Sequence, residues 1–298
     1  MISNVLKPRN IYKQNMIYRD IIPILTDVTL RDGLQTEPAE KWPLSKKQCL
    51  FHNIASKYSP ANIEVGSFVN PKILPIMNDT KVMIQFANDY KRLHGHSMKI
   101  SAVVPSMSKL QEALNYNLTH FSFLTSISNT FQIENVRKTL KQTKEEIKTM
   151  MNVLKYIPNI YTKLYISCIS ECPILGPLDI NITLNEICKY HHNYNFDELC
   201  LSDTCGTLRF DDFKYLVDSL YLFGVPKCKI SLHLHMKNMH EIDQIIRYAL
   251  QNGYLRFDVS LLESGGCSVT MDQCAPNLTY DIFMKIYNNI FMDENKID

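Results

Sequence analysis

Glycine is scarce, with nine in 298 residues. No GxGxxG-type run follows the first strand-like segment, so the phosphate-binding fingerprint of a doubly wound dinucleotide fold is missing. No stretch approaches the roughly 20 consecutive apolar residues that a membrane-spanning helix needs. Neither sign of charge dominates. The 32 Lys and Arg against 30 Asp and Glu leave a net charge of +2, which offers neither the basic footprint of a nucleic-acid binder nor an acidic tail. The cysteines are odd in number, nine, no secretory hydrophobic region precedes them, and Cys168 and Cys200 lie inside strand-like text. That argues against a disulfide framework and for reduced core thiols in an intracellular protein, with the cytoplasm as the expected compartment. Acidic residues are absent from residues 1–19, which carry Lys7, Arg9, Lys13 and Arg19. A mitochondrial transit peptide is also basic and acid-poor, but it would show Ser, Ala and Arg where Asn and Ile stand here. Residues 1–20 are therefore read as a plain amino-terminal extension, with mitochondrial import as the competing reading.

What is present is alternation. With 45% hydrophobic and 21% charged residues, the chain can bury a substantial core as one large α/β domain. Strand-like segments are expected at residues 22–30, 61–66, 99–104, 120–125, 163–168, 198–203, 229–235 and 255–261. Helices fall between them. Residues 45–58 begin at Ser45, with Gln48 to complete a capping box and Leu44 to staple against Cys49; residues 108–115 pair Ser108 with Gln111. Residues 134–157 form one long amphipathic helix with Val136, Leu140, Ile147, Met151 and Leu154 on a single stripe, stopped by Pro158. Residues 183–190 start on a Thr183–Glu186 box, a further helix runs from Asp211 to Gly224, and residues 239–252 are closed by Gly253. Eight strands alternating with helices predict a (β/α)8 TIM barrel over residues 21–298, ending in a short carboxy-terminal tail. The active face of such a barrel lies at the carboxy-terminal ends of its strands. An open doubly wound sheet is the alternative topology.

On that face the polar strand-end residues select themselves: Asp27, Arg31 and Asp32 after strand one, Glu64 at strand two, Asp203 at strand six, and His233 and His235 at strand seven. Two histidines at i and i+2 point to the same side of a strand. They are either a hydrogen-bonded structural pair or metal ligands, and burying two imidazoles without partners is costly. With the Asp32 carboxylate and further oxygen ligands they suit a six-coordinate Mg2+ or Mn2+; Zn2+ with three ligands and a water stays open. Arg31–Asp32 would by default be a surface ion pair, but Gly33 frees the backbone to turn both side chains to the mouth. After strand eight, Gly265–Gly266 forms a hinge carrying Cys267, either a chance surface cysteine or a thiol delivered by a lid. His191–His192 reads as a solvated helix end, and the lysines between 138 and 148 as the wet face of a helix.

Taken together, RDGLQ (31–35), IEVGSFVNPK (63–72), YISCISECP (165–173), LSDTCG (201–206), HLH (233–235) and GGC with a later NL (277–278) resemble the 3-hydroxy-3-methylglutaryl-CoA lyase family, within the metal-dependent barrel lyases and acyl-CoA synthases. The resemblance runs from about Ile22 to Asp281. It implies that Asp32, His233, His235 and Asn277 hold a divalent metal, Mg2+ or Mn2+. It implies that Arg31 polarises a thioester carbonyl and stabilises the enolate, with Gln35 beside it on the substrate. Cys267 is then the loop thiol needed for activity, Glu64 and Asp203 are supporting polar groups, and His233 also shuttles a proton. The implied substrate is an acyl-CoA whose tertiary alcohol lies β to the thioester, cleaved to acetyl-CoA and a keto acid such as acetoacetate. A homodimer is implied because the family commonly dimerises; neither nucleic acid nor membrane is.

The sequence departs from the family pattern at several points. The first motif reads DVTLRDG where the lyases have an EVGPRDG-like run; the loop lacks a proline after Cys267 and small residues before Asn277; Pro276 precedes that asparagine; and Asp281 replaces a glutamate. Two rivals stand beside the lyase. One is a condensing synthase of the isopropylmalate or homocitrate type, which would carry large extra carboxy-terminal regions. The other is a non-catalytic barrel serving as a binding protein.

Overall fold

In a computed structural model, the described residues are 21–266, 270–271 and 274–294, with side chains to residue 290. Eight parallel strands close into a barrel: β1 (Ile24–Asp27), β2 (Asn62–Ser67), β3 (Lys99–Val103), β4 (His120–Ser126), β5 (Tyr161–Ser167), β6 (Glu198–Ser202), β7 (Ile230–His233) and β8 (Arg256–Val259). Each strand pairs with its successor, and β8 returns to β1 in a register running from Ile24 opposite Arg256 to Asp27 opposite Val259. Around the ring lie α1 (Leu44–Lys57), α2 (Thr80–His94), α3 (Met107–Ala113), α4 (Asn129–Val136), α5 (Leu140–Leu154), α6 (Ile180–Tyr194), α7 (Phe210–Leu222), α8 (Met239–Gln251) and α9 (Tyr280–Glu294). The architecture is the expected (β/α)8 barrel. No helix among the described residues is long and apolar enough to cross a membrane.

Local chemistry moves several expected boundaries. Strand one stops at Asp27 because that carboxylate accepts from the Thr29 amide and hydroxyl, both at 2.9 Å. Residues Thr29–Gly33 then wind into a π-type turn in which the amides of Arg31, Asp32 and Gly33 all donate to the Val28 carbonyl. Arg31 and Asp32 thus sit on a turn beyond the strand, and buried Asp27 is spent on stopping it. Ser45 does not cap α1, which begins after Pro43 without a side-chain cap. Ser106, rather than Ser108, caps α3, and Asp179 caps α6 ahead of Thr183. The single helix expected over residues 134–157 is two. Arg137 takes a left-handed conformation, φ 57°, and Thr139 with Gln142 forms a capping box that starts α5 afresh. Two helices, α2 and α9, lie where no helix is expected; α9 occupies much of the expected carboxy-terminal tail.

Strand alternation sorts the chain between the two sides of the barrel wall. On β5, Leu164 and Ile166 join the hydrophobic core. Lys163 and Tyr165, one residue out of phase, instead meet Asp258 of β8 and Glu64 of β2. Where such barrels are usually filled by Val, Ile and Leu, this interior holds Glu64, Ser122, Lys163, Cys200 and Asp258, all buried.

Candidate active site

Three side chains converge at the carboxy-terminal end of the barrel. The turn after β1 supplies Asp32, the end of β7 supplies His233 and, two residues on, His235; all three are at most 5% exposed. One ligand atom from each lies within 4.8 Å of the other two. His235 stands just past β7, held by an isolated antiparallel bridge to Asn277, so the chain after β8 is threaded back beside β7. The two imidazole rings are 5.1 Å apart between centroids.

The hydrogen bonds of the rings decide which nitrogens face the cluster. His235 Nδ1 is 2.8 Å from the Ala275 carbonyl, which can only accept, so Nδ1 carries the proton and Nε2 keeps its lone pair. His233 Nδ1 lies 3.3 Å from Asp258 Oδ2, and its Nε2 is 3.9 Å from Asp32 Oδ2. Burial, with His233 close by, lowers His235 to about 4; it is neutral at physiological pH. Burial would raise the Asp32 carboxyl, but the Arg31 guanidinium and the two histidines hold it well below the usual carboxylate range. One carboxylate and two imidazoles, each with Nδ1 turned to an oxygen acceptor, form a donor set that a divalent cation fits.

Asn277 approaches through its side-chain amide, whose Nδ2 donates to Asp32 Oδ2 and to the Ser264 carbonyl, both at 2.9 Å. Turning that amide about its last torsion brings Oδ1 towards Asp32 in its place. Gly265 makes room for the contact: at its φ of +143° a Cβ would lie 2.1 Å from Asn277 Nδ2 and 2.5 Å from Asp32 Oδ2. The Gly266 amide also donates to Asp32, at 3.0 Å. Cys267 lies outside the described residues.

Arg31 is 7% exposed and fixed on two sides, by Nε to Glu64 Oε1 and Nη1 to Asp32 Oδ1, each at 2.5 Å. Its Nη2 is buried and has no hydrogen-bond partner among the described residues. Glu64 also accepts from Ser122 and, at 3.2 Å, from the Tyr165 hydroxyl. The Tyr165 ring lies under the Arg31 guanidinium at 4.8 Å and edge-on to His233. Asp203 is not in this cluster. Its carboxylate takes the Thr207 and Leu208 amides and the Ser170 hydroxyl, shaping the loop after β6, and burial raises it to about 6.

Beside the cluster opens a cavity of about 320 Å³, reached by Arg31, Asp32, Gln35, Tyr165, His233, His235 and Gly266. Its other walls are mostly apolar (Phe68, Val69, Ile73, Leu74, Phe131, Val136), with Lys109, Arg137 and Lys138 also lining it. Sequence reasoning missed Tyr165, Lys163 and Asp258. The signal was there, since KLYIS and RFDVS put charged and phenolic groups in the middle of otherwise apolar strands.

Against known proteins, the family model described as HMGL-like matches residues 22–268. The chain belongs to that family. Among its relatives, a hydroxymethylglutaryl-CoA lyase, YngG, of Bacillus subtilis is 28% identical over 260 residues, covering 87% of this chain and 83% of the relative. The (R)-citramalyl-CoA lyase of Chloroflexus aurantiacus is 23% identical over 273 residues, covering 89% and 83%. The solved HMG-CoA lyase of Acinetobacter baumannii in complex with coenzyme A and 3-methylmalate superposes with a TM-score of 0.78 at 22% identity, covering 91% of this chain and 84% of that one. At that level of identity the likeness is one of fold.

Proposed function

We propose that this carbon–carbon lyase of the HMGL-like family cleaves a 3-hydroxyacyl-CoA of the 3-hydroxy-3-methylglutaryl-CoA type to acetyl-CoA and a keto acid such as acetoacetate, with a divalent metal held by Asp32, His233, His235 and Asn277. The observation behind it is the convergence of Asp32, His233 and His235 next to a buried guanidinium with one uncommitted donor edge, at the wall of an apolar cavity. The names of the Bacillus and Chloroflexus relatives, both CoA-thioester lyases, support the substrate class.

Mg2+ or Mn2+ bound there would acidify the substrate's tertiary hydroxyl and anchor it against an acyl oxygen. The chain's own residues do the rest. Arg31 Nη2, already desolvated and held in plane by Glu64 and Asp32, donates to the thioester oxygen, where negative charge grows as the bond between the α and β carbons breaks. Tyr165 fills the space under the guanidinium and keeps water from it. His233, with Nε2 on the side of Asp32 and Nδ1 turned to Asp258, orients the hydroxyl, whose proton leaves to water at the mouth of the cavity. Cys267, on the loop that begins at Gly265–Gly266, is assigned the protonation of the enolate carbon, and Gln35 contacts the acyl chain. The electron pair of the broken bond becomes the enolate, the former alcohol carbon becomes the ketone, and one proton returned to carbon completes acetyl-CoA.

The test is acetoacetate release from 3-hydroxy-3-methylglutaryl-CoA by the purified protein with Mn2+ or Mg2+, before and after EDTA. Asp32→Asn should abolish the divalent-stimulated activity, and Arg31→Met should lower kcat by about 10²–10³-fold. Turnover that ignores EDTA and survives Asp32→Asn would sink the metal assignment. Release of pyruvate from citramalyl-CoA, with none of acetoacetate, would move the substrate to the Chloroflexus type.

A further inference from the structure

The interior of the barrel contains a chain of buried charges that the reaction above does not use. Asp258 on β8 is 2% exposed and places Oδ2 3.3 Å from His233 Nδ1. Its other oxygen is claimed at 2.5 Å by Lys163 Nζ, which reaches across from β5 and is itself 4% exposed. Lys163 is steadied in turn by Glu198, at 3.1 Å, and Glu198 by the Tyr161 hydroxyl, at 2.8 Å. A lysine and an aspartate in the middle of a barrel are expensive to desolvate, and apolar residues of like volume would stabilise the fold as well or better.

We propose that Lys163 and Asp258 are positioning residues for His233: Asp258 fixes the imidazole tautomer that leaves Nε2 free for the cation, and Lys163 fixes which way Asp258 can serve it. The inference rests on the proposed metal site. Its geometry is specific. Asp258 Oδ2 is an acceptor only, so the facing Nδ1 must carry the proton, and the Nε2 lone pair is directed to the side of Asp32. Were Asp258 an asparagine, its single oxygen would go to the Lys163 ammonium, the stronger donor, and its amide nitrogen would face His233. Nδ1 would then have to accept, the proton would move to Nε2, and the ligand atom would be blocked. Removing the Lys163 charge as well frees the amide to turn its oxygen back to His233. The pair therefore predicts a rescue: the double substitution should be better than the single one.

The experiment measures Mn2+ dissociation constants by electron paramagnetic resonance for the parent, Asp258→Asn and Lys163→Met/Asp258→Asn, with Asp32→Asn as the site control. Asp258→Asn should weaken binding about 10–100-fold, the range for loss of such outer partners, and the double variant should recover most of that loss. A single variant within roughly twofold of the parent, or a double variant no better than the single, overturns the proposal. A second measurement needs no variant: nitrogen-15 shifts of the His233 ring in the metal-free parent should report protonated Nδ1, and the opposite tautomer overturns it. Failure of the parent to bind Mn2+ at all overturns the metal site and this inference with it. Normal binding by the parent with an indifferent Asp258→Asn overturns this inference alone.

Discussion

Replacing Gly265 by alanine separates two effects that glycine substitutions usually mix. At φ +143° an L-residue is strained, by about 1–3 kcal/mol. In addition the new Cβ would stand 2.1 Å from Asn277 Nδ2, 2.5 Å from Asp32 Oδ2 and 2.9 Å from the Asp32 carbonyl, whereas ordinary contact starts at 3.4 Å. None of these is the end of a flexible side chain free to swing away, since Asp32 is held by Arg31 and Asn277 by the Ser264 carbonyl. The segment must retreat by more than about 1 Å, a displacement that can cost on the order of 10²-fold in rate when it misplaces reacting groups. Gly253→Ala is the control: its φ of +82° also strains an L-residue, but nothing lies within 4 Å of the added methyl. Both variants should melt a few degrees lower. In the lyase assay with Mn2+ or Mg2+ added, Gly265→Ala should lose about 10²-fold in kcat/KM and Gly253→Ala nothing. If Gly265→Ala keeps its activity to within roughly threefold of the parent, the close packing of that backbone on Asp32 and Asn277 has been misjudged.

Three further outcomes follow from the same structure. His235 is lowered from 6.5 to about 4 by burial, so the unfolded chain takes up the proton first as the pH falls. Its contribution is complete above pH 6.5 and is lost on descending towards 4, up to roughly 3 kcal/mol. Urea unfolding in EDTA should show that loss relative to His235→Gln, and parallel pH curves for the two proteins would refute it. Lys47 is buried on α1 and donates to the Ile76 carbonyl at 2.5 Å and to Asp79 at 2.7 Å; Lys47→Met should cost about 1–3 kcal/mol of stability by denaturant titration while leaving kcat alone. Glu64→Gln removes the charge that holds Arg31 Nε and should lower kcat by about 10–100-fold, matching the roughly 1.5–3 kcal/mol of a charged buried hydrogen bond, with KM little changed. An effect on KM alone would place Glu64 in binding.

Much of this was legible because the signals are local. The alternation of apolar strands with helices carried the fold, and HLH, read with period two, carried the histidine pair even though the ladder ends at His233. The errors arose where a local signal had a competitor. Ser45 and Ser108 look like caps, but Pro43 and Ser106 begin those helices instead. The apolar stripe through residues 134–157 hid a break that the Thr139–Gln142 box announces. In α2, Met83, Ile84, Ala87 and Tyr90 fall on a helical stripe and are all buried, a pattern overlooked beside the turn signals before it. What sequence could not show is what only closure of the barrel brings together: the partnership of Lys163 with Asp258, 95 residues apart, and the seating of Tyr165 beneath Arg31.

The Asn277–Asp32 hydrogen bond joins residues 245 positions apart, and between them lies almost the whole circuit of the wall. Bringing two such distant points of a flexible chain together costs about 5 kcal/mol in loop-closure entropy, and no partial assembly can form the contact early. During synthesis every strand is made before Asn277 leaves the ribosome, so cation uptake at the site proposed for these side chains would be a late event that reports a finished ring. Anything that springs the β8–β1 seam open should part Asn277 from Asp32, and with them the proposed cation site, before it melts the helices.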